Sequence, residues 1–178
     1  MTIQTAYQRA ILFAAQQHQG QLLPGSGLPY VVHLSNVAME ILAAPHPAGF
    51  DVVLAVQLAL LHDTLEDTAT TYAQLAAEFG PAVAAGVQAL TKNDTLPKAD
   101  KMADSLARIR RQPPEVRAVK LADRITNLQR PPAHWEVAKI GAYRQEAQTI
   151  LTALAGGNAY LENRLRGKIE DYAAYCAG

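Results

Sequence analysis

Four polar side chains break an apolar run in this sequence: Leu58-Ala59-Leu60-Leu61 leads directly into His62-Asp63-Thr64-Leu65-Glu66-Asp67. An imidazole beside a carboxylate offers nitrogen and oxygen ligands to a divalent metal ion. At helical spacing His62 and Glu66 are i, i+4, Asp63 and Asp67 are i, i+4, and Asp63 and Glu66 are i, i+3, so the four groups share one side of a helix end. Glu66 and Asp67 then stand one turn from the ligand pair, where they can manage a water molecule and its protons. A His-Asp dipeptide by itself is more simply a solvated helix terminus, because such pairs arise by chance. The buried helix leading in and the two further carboxylates favour a site.

Two more polar residues fall on otherwise apolar faces. His33 sits in the first turn of an expected helix with Val37 a turn later, and is either a satisfied core histidine or the third ligand that His62 and Asp63 require. Asp123 shares a face with Val116 and Val119, where a carboxylate needs a partner. Lys120 or Arg124 supplies an ordinary salt bridge there; a metal shared with His62 and Asp63 is the sharper alternative. His18, near the end of the first helix, suits the helix dipole, and His46 has no partner in view.

The elements that must hold these groups read as helices throughout. Apolar periodicity predicts helices from about Thr5 to Gln19 and from Tyr30 to Ala43, separated by a loop over 22–29 that carries two Pro and two Gly. Asp51 is the expected N-cap of a nearly all-apolar helix from Val52 to about Leu65, which belongs in the middle of a bundle. Thr71 and Gln74 form a capping box for a helix to Phe79, and Gly80-Pro81 stops it and starts the next. Further helices are expected over Ala99 to Arg111, Glu115 to Leu128, Trp135 to Leu154 and Asn158 to Tyr175. Eight or nine helices, with no alternating strand and no internal repeat, make the fold class all-α, a single domain over residues 1–178.

Composition narrows the partners. With 49% hydrophobic residues the chain is neither disordered nor fibrous, and with no long apolar span or leader-like start it reads as cytoplasmic with no membrane contact. The one cysteine, Cys176, has no internal disulfide partner. The net charge is zero, yet between Thr91 and Arg130 ten Lys or Arg face five Asp or Glu. That local excess suits a small phosphorylated ligand; the absence of long basic runs and of aromatic-basic interleaving argues against nucleic acid.

The order His33, His62-Asp63, Asp123 resembles that of the HD-domain metal-dependent phosphohydrolases. The surrounding segments His18-Gln19-Gly20-Gln21, Gly27-Leu28-Pro29-Tyr30-Val31-Val32-His33, Ala59 to Thr68, Thr91-Lys92 and Val119 to Leu128 resemble the hydrolase domain of RelA/SpoT proteins. Thr95-Leu96-Pro97-Lys98 and the chain length are most similar to the stand-alone small alarmone hydrolases of the metazoan SpoT-homologue type. The resemblance implies an HD-type helical bundle and one manganese ion held by His33, His62, Asp63 and Asp123. It implies Glu66 and Asp67 as the catalytic pair, and Lys98, Asn127 and Tyr143 as contacts to the phosphates or ribose. The implied reaction removes pyrophosphate from the 3′ position of guanosine tetra- or pentaphosphate. Some relatives act on adenine alarmones or on the 2′-phosphate of NADPH.

One segment departs from the pattern. Where alarmone hydrolases carry Arg and Lys that stack on the purine, this chain reads Gln21-Leu22-Leu23-Pro24-Gly25-Ser26-Gly27, without a basic residue. Leu22 and Leu23 offer apolar contact only, so cation-π stacking of about 1 kcal/mol or more is missing from that loop. The base therefore stays open between (p)ppGpp, (p)ppApp and another nucleotide. A catalytically silent nucleotide sensor is the alternative from another class, and the oligomeric state is not legible.

Overall fold

A computed structural model describes residues 1–176. Its helices are α1 (Ile3–Gln17), α2 (Val31–Ala43), α3 (Val52–Leu61), α4 (Thr64–Asp67), α5 (Tyr72–Phe79), α6 (Pro81–Leu90), α7 (Lys98–Arg110), α8 (Pro114–Asn127), α9 (Val137–Ala153) and α10 (Ala159–Tyr172). A 3-10 turn follows over Ala173–Tyr175. Among the described residues nine of these helices have eight residues or more, α4 is a single turn, and β structure is limited to an isolated bridge between Leu22 and Pro29. The class is all-α. No described helix is long and apolar enough to cross a membrane.

The bundle is arranged around α3. Every residue from Ala55 to Leu61 is buried, because α1, α2, α6 and α8 pack against it from different sides. A helix enclosed this way has no solvent face, hence its continuous apolar sequence. It begins where the Asp51 side chain accepts a hydrogen bond from the Leu54 N–H at 2.9 Å. On the α6 side the approach is closest at Gly86, where a Cβ would lie 2.5 Å from Leu58 Cδ2.

The end of α3 differs from the sequence expectation of a helix running on to Leu65. The Thr64 hydroxyl donates to the Leu61 carbonyl at 2.7 Å, and His62 Nδ1 lies 2.9 Å from the Ala59 carbonyl. These side chains take the carbonyls that the next helical N–H groups would otherwise use, so α3 stops at Leu61 and α4 restarts at Thr64. Other boundaries move by three residues or fewer. The capping box of Thr71 and Gln74 is present, and Gly80, at φ +92°, separates α5 from α6.

Candidate metal centre

Three buried side chains, His33, His62 and Asp123, meet with the half-buried Asp63 beside them. His33 comes from the first turn of α2, His62 and Asp63 from the break between α3 and α4, and Asp123 from α8. His62 Nε2 lies 2.9 Å from Asp63 Oδ2, 3.4 Å from His33 Nε2 and 3.7 Å from Asp123 Oδ1. His33 Nε2 is 3.6 Å from Asp63 Oδ2 and 3.5 Å from Asp123 Oδ1. Around an ion with ligands at about 2.1 Å, neighbouring donor atoms stand about 3.0 Å apart on octahedral edges and about 3.4 Å apart on tetrahedral ones. His33, His62 and Asp123 offer ligand atoms that all lie within 4.8 Å of one another, and Asp63 Oδ2 stands within 3.6 Å of both imidazoles, so the donors suit a divalent first-row transition ion in their chemistry.

Three of these four side chains are held by neighbours outside the cluster. A carbonyl oxygen only accepts, so His62 Nδ1 carries a proton for Ala59 and presents Nε2 to the cluster. The Tyr30 hydroxyl donates to Asp63 Oδ2 at 2.6 Å. Lys120 Nζ donates to Asp123 Oδ2 at 2.9 Å and Asn127 Nδ2 to Oδ1 at 2.6 Å. The salt bridge expected for Asp123 is present, and the carboxylate gives one oxygen to Lys120 and turns the other toward the two histidines.

Without an ion the cluster is electrostatically tense. Burial favours neutral His62, but the Asp63 and Asp123 charges outweigh it and push the ring up to about 10. Burial would raise the Asp63 carboxyl, and the His62 charge instead brings it down to about 2. Asp123 is likewise held well below the ordinary carboxylate range, against its burial, by Lys120 and the two histidines. The Tyr30 phenol is pushed up by burial and then by the Asp63 charge, so it remains a donor.

A cavity of about 430 Å³ opens at His33 and Asn127, and Leu23, Pro24, Trp135 and Tyr143 also line it. Arg130 is the one Arg or Lys in its lining. Tyr143 lies against the guanidinium of Arg124, 4.4 Å from carbon to ring centre, and Arg124 pairs with Glu146. Of the three expected substrate contacts, Tyr143 and Asn127 reach this cavity; Lys98 does not, and is exposed at the first position of α7. Glu66 and Asp67 stand on α4 outside the lining. Both oxygens of Glu66 are engaged by Lys92, through Nζ at 2.7 Å and the backbone N–H at 3.1 Å. Asp67 accepts one bond, from Gln21 Nε2 at 3.1 Å to Oδ2.

The pattern of the HD-domain family matches residues 10–158. The chain belongs to the HD-domain family. Within it, this HD-domain phosphohydrolase is 35% identical over 159 residues to the zebrafish (Danio rerio) guanosine-3′,5′-bis(diphosphate) 3′-pyrophosphohydrolase MESH1, covering 86% of this chain and 87% of that one. The human (Homo sapiens) MESH1 enzyme is also 35% identical, with the same coverage. A solved structure described as a metazoan ortholog of SpoT that hydrolyses ppGpp superposes with a TM-score of 0.82 at 26% identity, over 93% of this chain and 94% of that one.

Sequence reasoning about this HD-domain chain missed three supporting residues. Tyr30 was visible only as part of a motif, although a Tyr three residues before His33 at a helix start was a usable signal. Lys92 and Gln21 are distant in sequence from Glu66 and Asp67, and nothing local announced their pairing. His18, expected near the end of the first helix, is the C-cap residue of α1 and is 4% exposed.

Proposed function

We propose that this chain is a manganese-dependent hydrolase that removes pyrophosphate from the 3′ position of a purine nucleotide such as (p)ppGpp or (p)ppApp, as one catalytic domain over residues 1–178. The observation that carries this reading is the convergence of His33, His62, Asp63 and Asp123 beside a nucleotide-sized cavity, with Glu66 and Asp67 on the next turn. Relatives at 35% identity that carry the 3′-pyrophosphohydrolase name support it.

In this reading the four residues hold the ion, and Tyr30, the Ala59 carbonyl, and Lys120 with Asn127 fix the orientation of Asp63, His62 and Asp123. When bound, a divalent ion supplies Lewis acidity toward a phosphoryl oxygen and a nucleophilic water near neutral pH. Asp67 takes the water proton, because its Oδ1 has no protein partner while both Glu66 oxygens are engaged. Leu23, Pro24, Trp135 and Tyr143 line the cavity, an apolar and aromatic slot for a purine that receives no charged group from the 21–27 loop. Base discrimination is accordingly weak.

The deciding experiment incubates manganese-loaded protein with guanosine and adenosine 3′-pyrophosphates and with NADPH. Pyrophosphate release from both 3′-pyrophosphates, at efficiencies within about tenfold of each other, is expected from loss of a single cation-π contact. Should all three compounds remain intact, the hydrolase reading is wrong.

A further inference from the structure

Gln21 belongs to the uncharged loop between α1 and α2, yet its side chain bridges two chemically active groups. Its Nε2 donates to Asp67 Oδ2 at 3.1 Å, and its Oε1 lies 2.6 Å from His18 Nδ1. A carboxylate accepts and an amide oxygen accepts, so the amide must turn its NH2 to Asp67, and His18 Nδ1 must carry the proton it donates to Oε1. His18 is 4% exposed, and its other ring nitrogen, Nε2, is buried without a protein partner. The ring packs against Tyr30 with centroids 5.0 Å apart. A histidine in such a place contributes little to the core that Phe or Leu would not supply, and leaves one nitrogen unsatisfied. Its one specific polar contact is to Gln21.

Asp67 needs that support. It is exposed, on a single helical turn, and among the described residues its side chain accepts from no other donor. A flexible carboxylate must be ordered before it can meet a proton in the right geometry, and ordering it in advance removes that entropy cost from the reaction. The Gln21 amide does so only in one of its two orientations, and the His18 N–H selects that one.

We propose that His18 is a positioning residue for Asp67, acting through the Gln21 amide. This role rests on Asp67 being the proton acceptor proposed above. His18→Phe keeps a ring against Tyr30 and deletes the N–H; His18→Asn deletes the ring and keeps an amide N–H near the position of Nδ1. With guanosine tetraphosphate as substrate, His18→Phe and Gln21→Leu should each lower kcat about tenfold, the size of one lost hydrogen bond, with KM and bound metal unchanged. His18→Asn should stay within about twofold of the wild type, and the double variant His18→Phe/Gln21→Leu should be no worse than either single one. Equal impairment of His18→Asn and His18→Phe, multiplying losses in the double variant, or full kcat in Gln21→Leu would each overturn the role. Gln21 is only half-buried, so Gln21→Leu decides the matter even if His18→Phe fails to fold.

A wild type that cleaves no nucleotide removes the hydrolase reading and leaves His18 to be tested by NMR. The Gln21 side-chain NH2 signals, assigned by their loss in Gln21→Leu, should shift on Asp67→Asn in the wild-type background and not in His18→Phe. An identical shift in both backgrounds, or none in either, overturns the positioning role.

Discussion

Asp123 shows how much a single carboxylate does at this site. Its Oδ2 takes the Lys120 ammonium while Oδ1 takes the Asn127 amide and faces both histidines, so one buried group serves packing electrostatics and ligand geometry together. Two predictions belong to this scale. Asp63→Ala should abolish metal retention in the purified protein, whereas Glu66→Gln and Asp67→Asn should keep the metal and lower kcat by about 10²–10⁴, the usual worth of a proton-transfer group. Elemental analysis beside turnover separates the two classes, and loss of metal from Asp67→Asn would refute the division of roles. The second concerns pH. In the metal-free protein His62 is raised from 6.5 to about 10, so its charged form stabilises the fold fully below pH 6.5, and that contribution is lost as pH rises through about 10. A metal needs the neutral ring. Metal affinity should therefore rise with pH up to about 10, with about one proton released per ion bound at pH 8. Calorimetry in buffers of different ionisation enthalpy measures that release; none at pH 8 would contradict the raised value.

The break between α3 and α4 is the element that makes the site. A continuous helix would carry His62, Asp63, Glu66 and Asp67 down one side; ending α3 at Leu61 lets the His62 and Thr64 side chains bond back to its last carbonyls and sets Asp63 against His62. The seating of α3 in the bundle is tightest against Gly86 on α6. Ala in place of Gly normally stabilises a helix interior by about 1 kcal/mol. Here its Cβ would meet Leu58, which is fully buried, at 2.5 Å, and overpacking costs about 1–3 kcal/mol. Gly86→Ala should thus be neutral to destabilising by about 2 kcal/mol in urea unfolding; a gain in stability would show that Leu58 yields freely. The capping box and stop signals of these helices were readable because their residue types are specific to helix ends. The break was not, because its bonds, though equally local, come from a Thr and a His, residue types that also occur inside continuous helices.

Over the whole molecule, the bundle is closed by a long-range pair. Arg164 on α10 holds Glu40 on α2 through two bonds, 2.5 Å from Nε to Oε2 and 2.7 Å from Nη2 to Oε1, and Glu40 is buried. Arg164→Ala strands that carboxylate; because the Arg side chain itself is partly exposed, the expected loss is about 1–2 kcal/mol, less than for a fully buried pair. A change in unfolding midpoint below a few tenths of that would show that water replaces the guanidinium. The cavity is also a product of the whole fold, joining the α1–α2 loop to the α8–α9 connection. Trp135→Ala should raise KM for the nucleotide by about tenfold with a smaller change in kcat, the signature of a lost stacking wall.

The all-α class and the buried character of α3 were determined by sequence alone, since apolar periodicity is a local property of the chain, whereas His33 and Asp123 were legible there only as polar residues on apolar faces. The same holds for the absence of a basic residue in the 21–27 loop, and with it the open question of the base. Tertiary structure decided which groups meet. Lys92 reaches Glu66 across 26 positions, Gln21 reaches Asp67 across 46, and Tyr30 reaches Asp63 across 33. Contacts between residues so far apart follow from how helices pack, and packing is set by the summed fit of many apolar side chains, none of which individually names its partner.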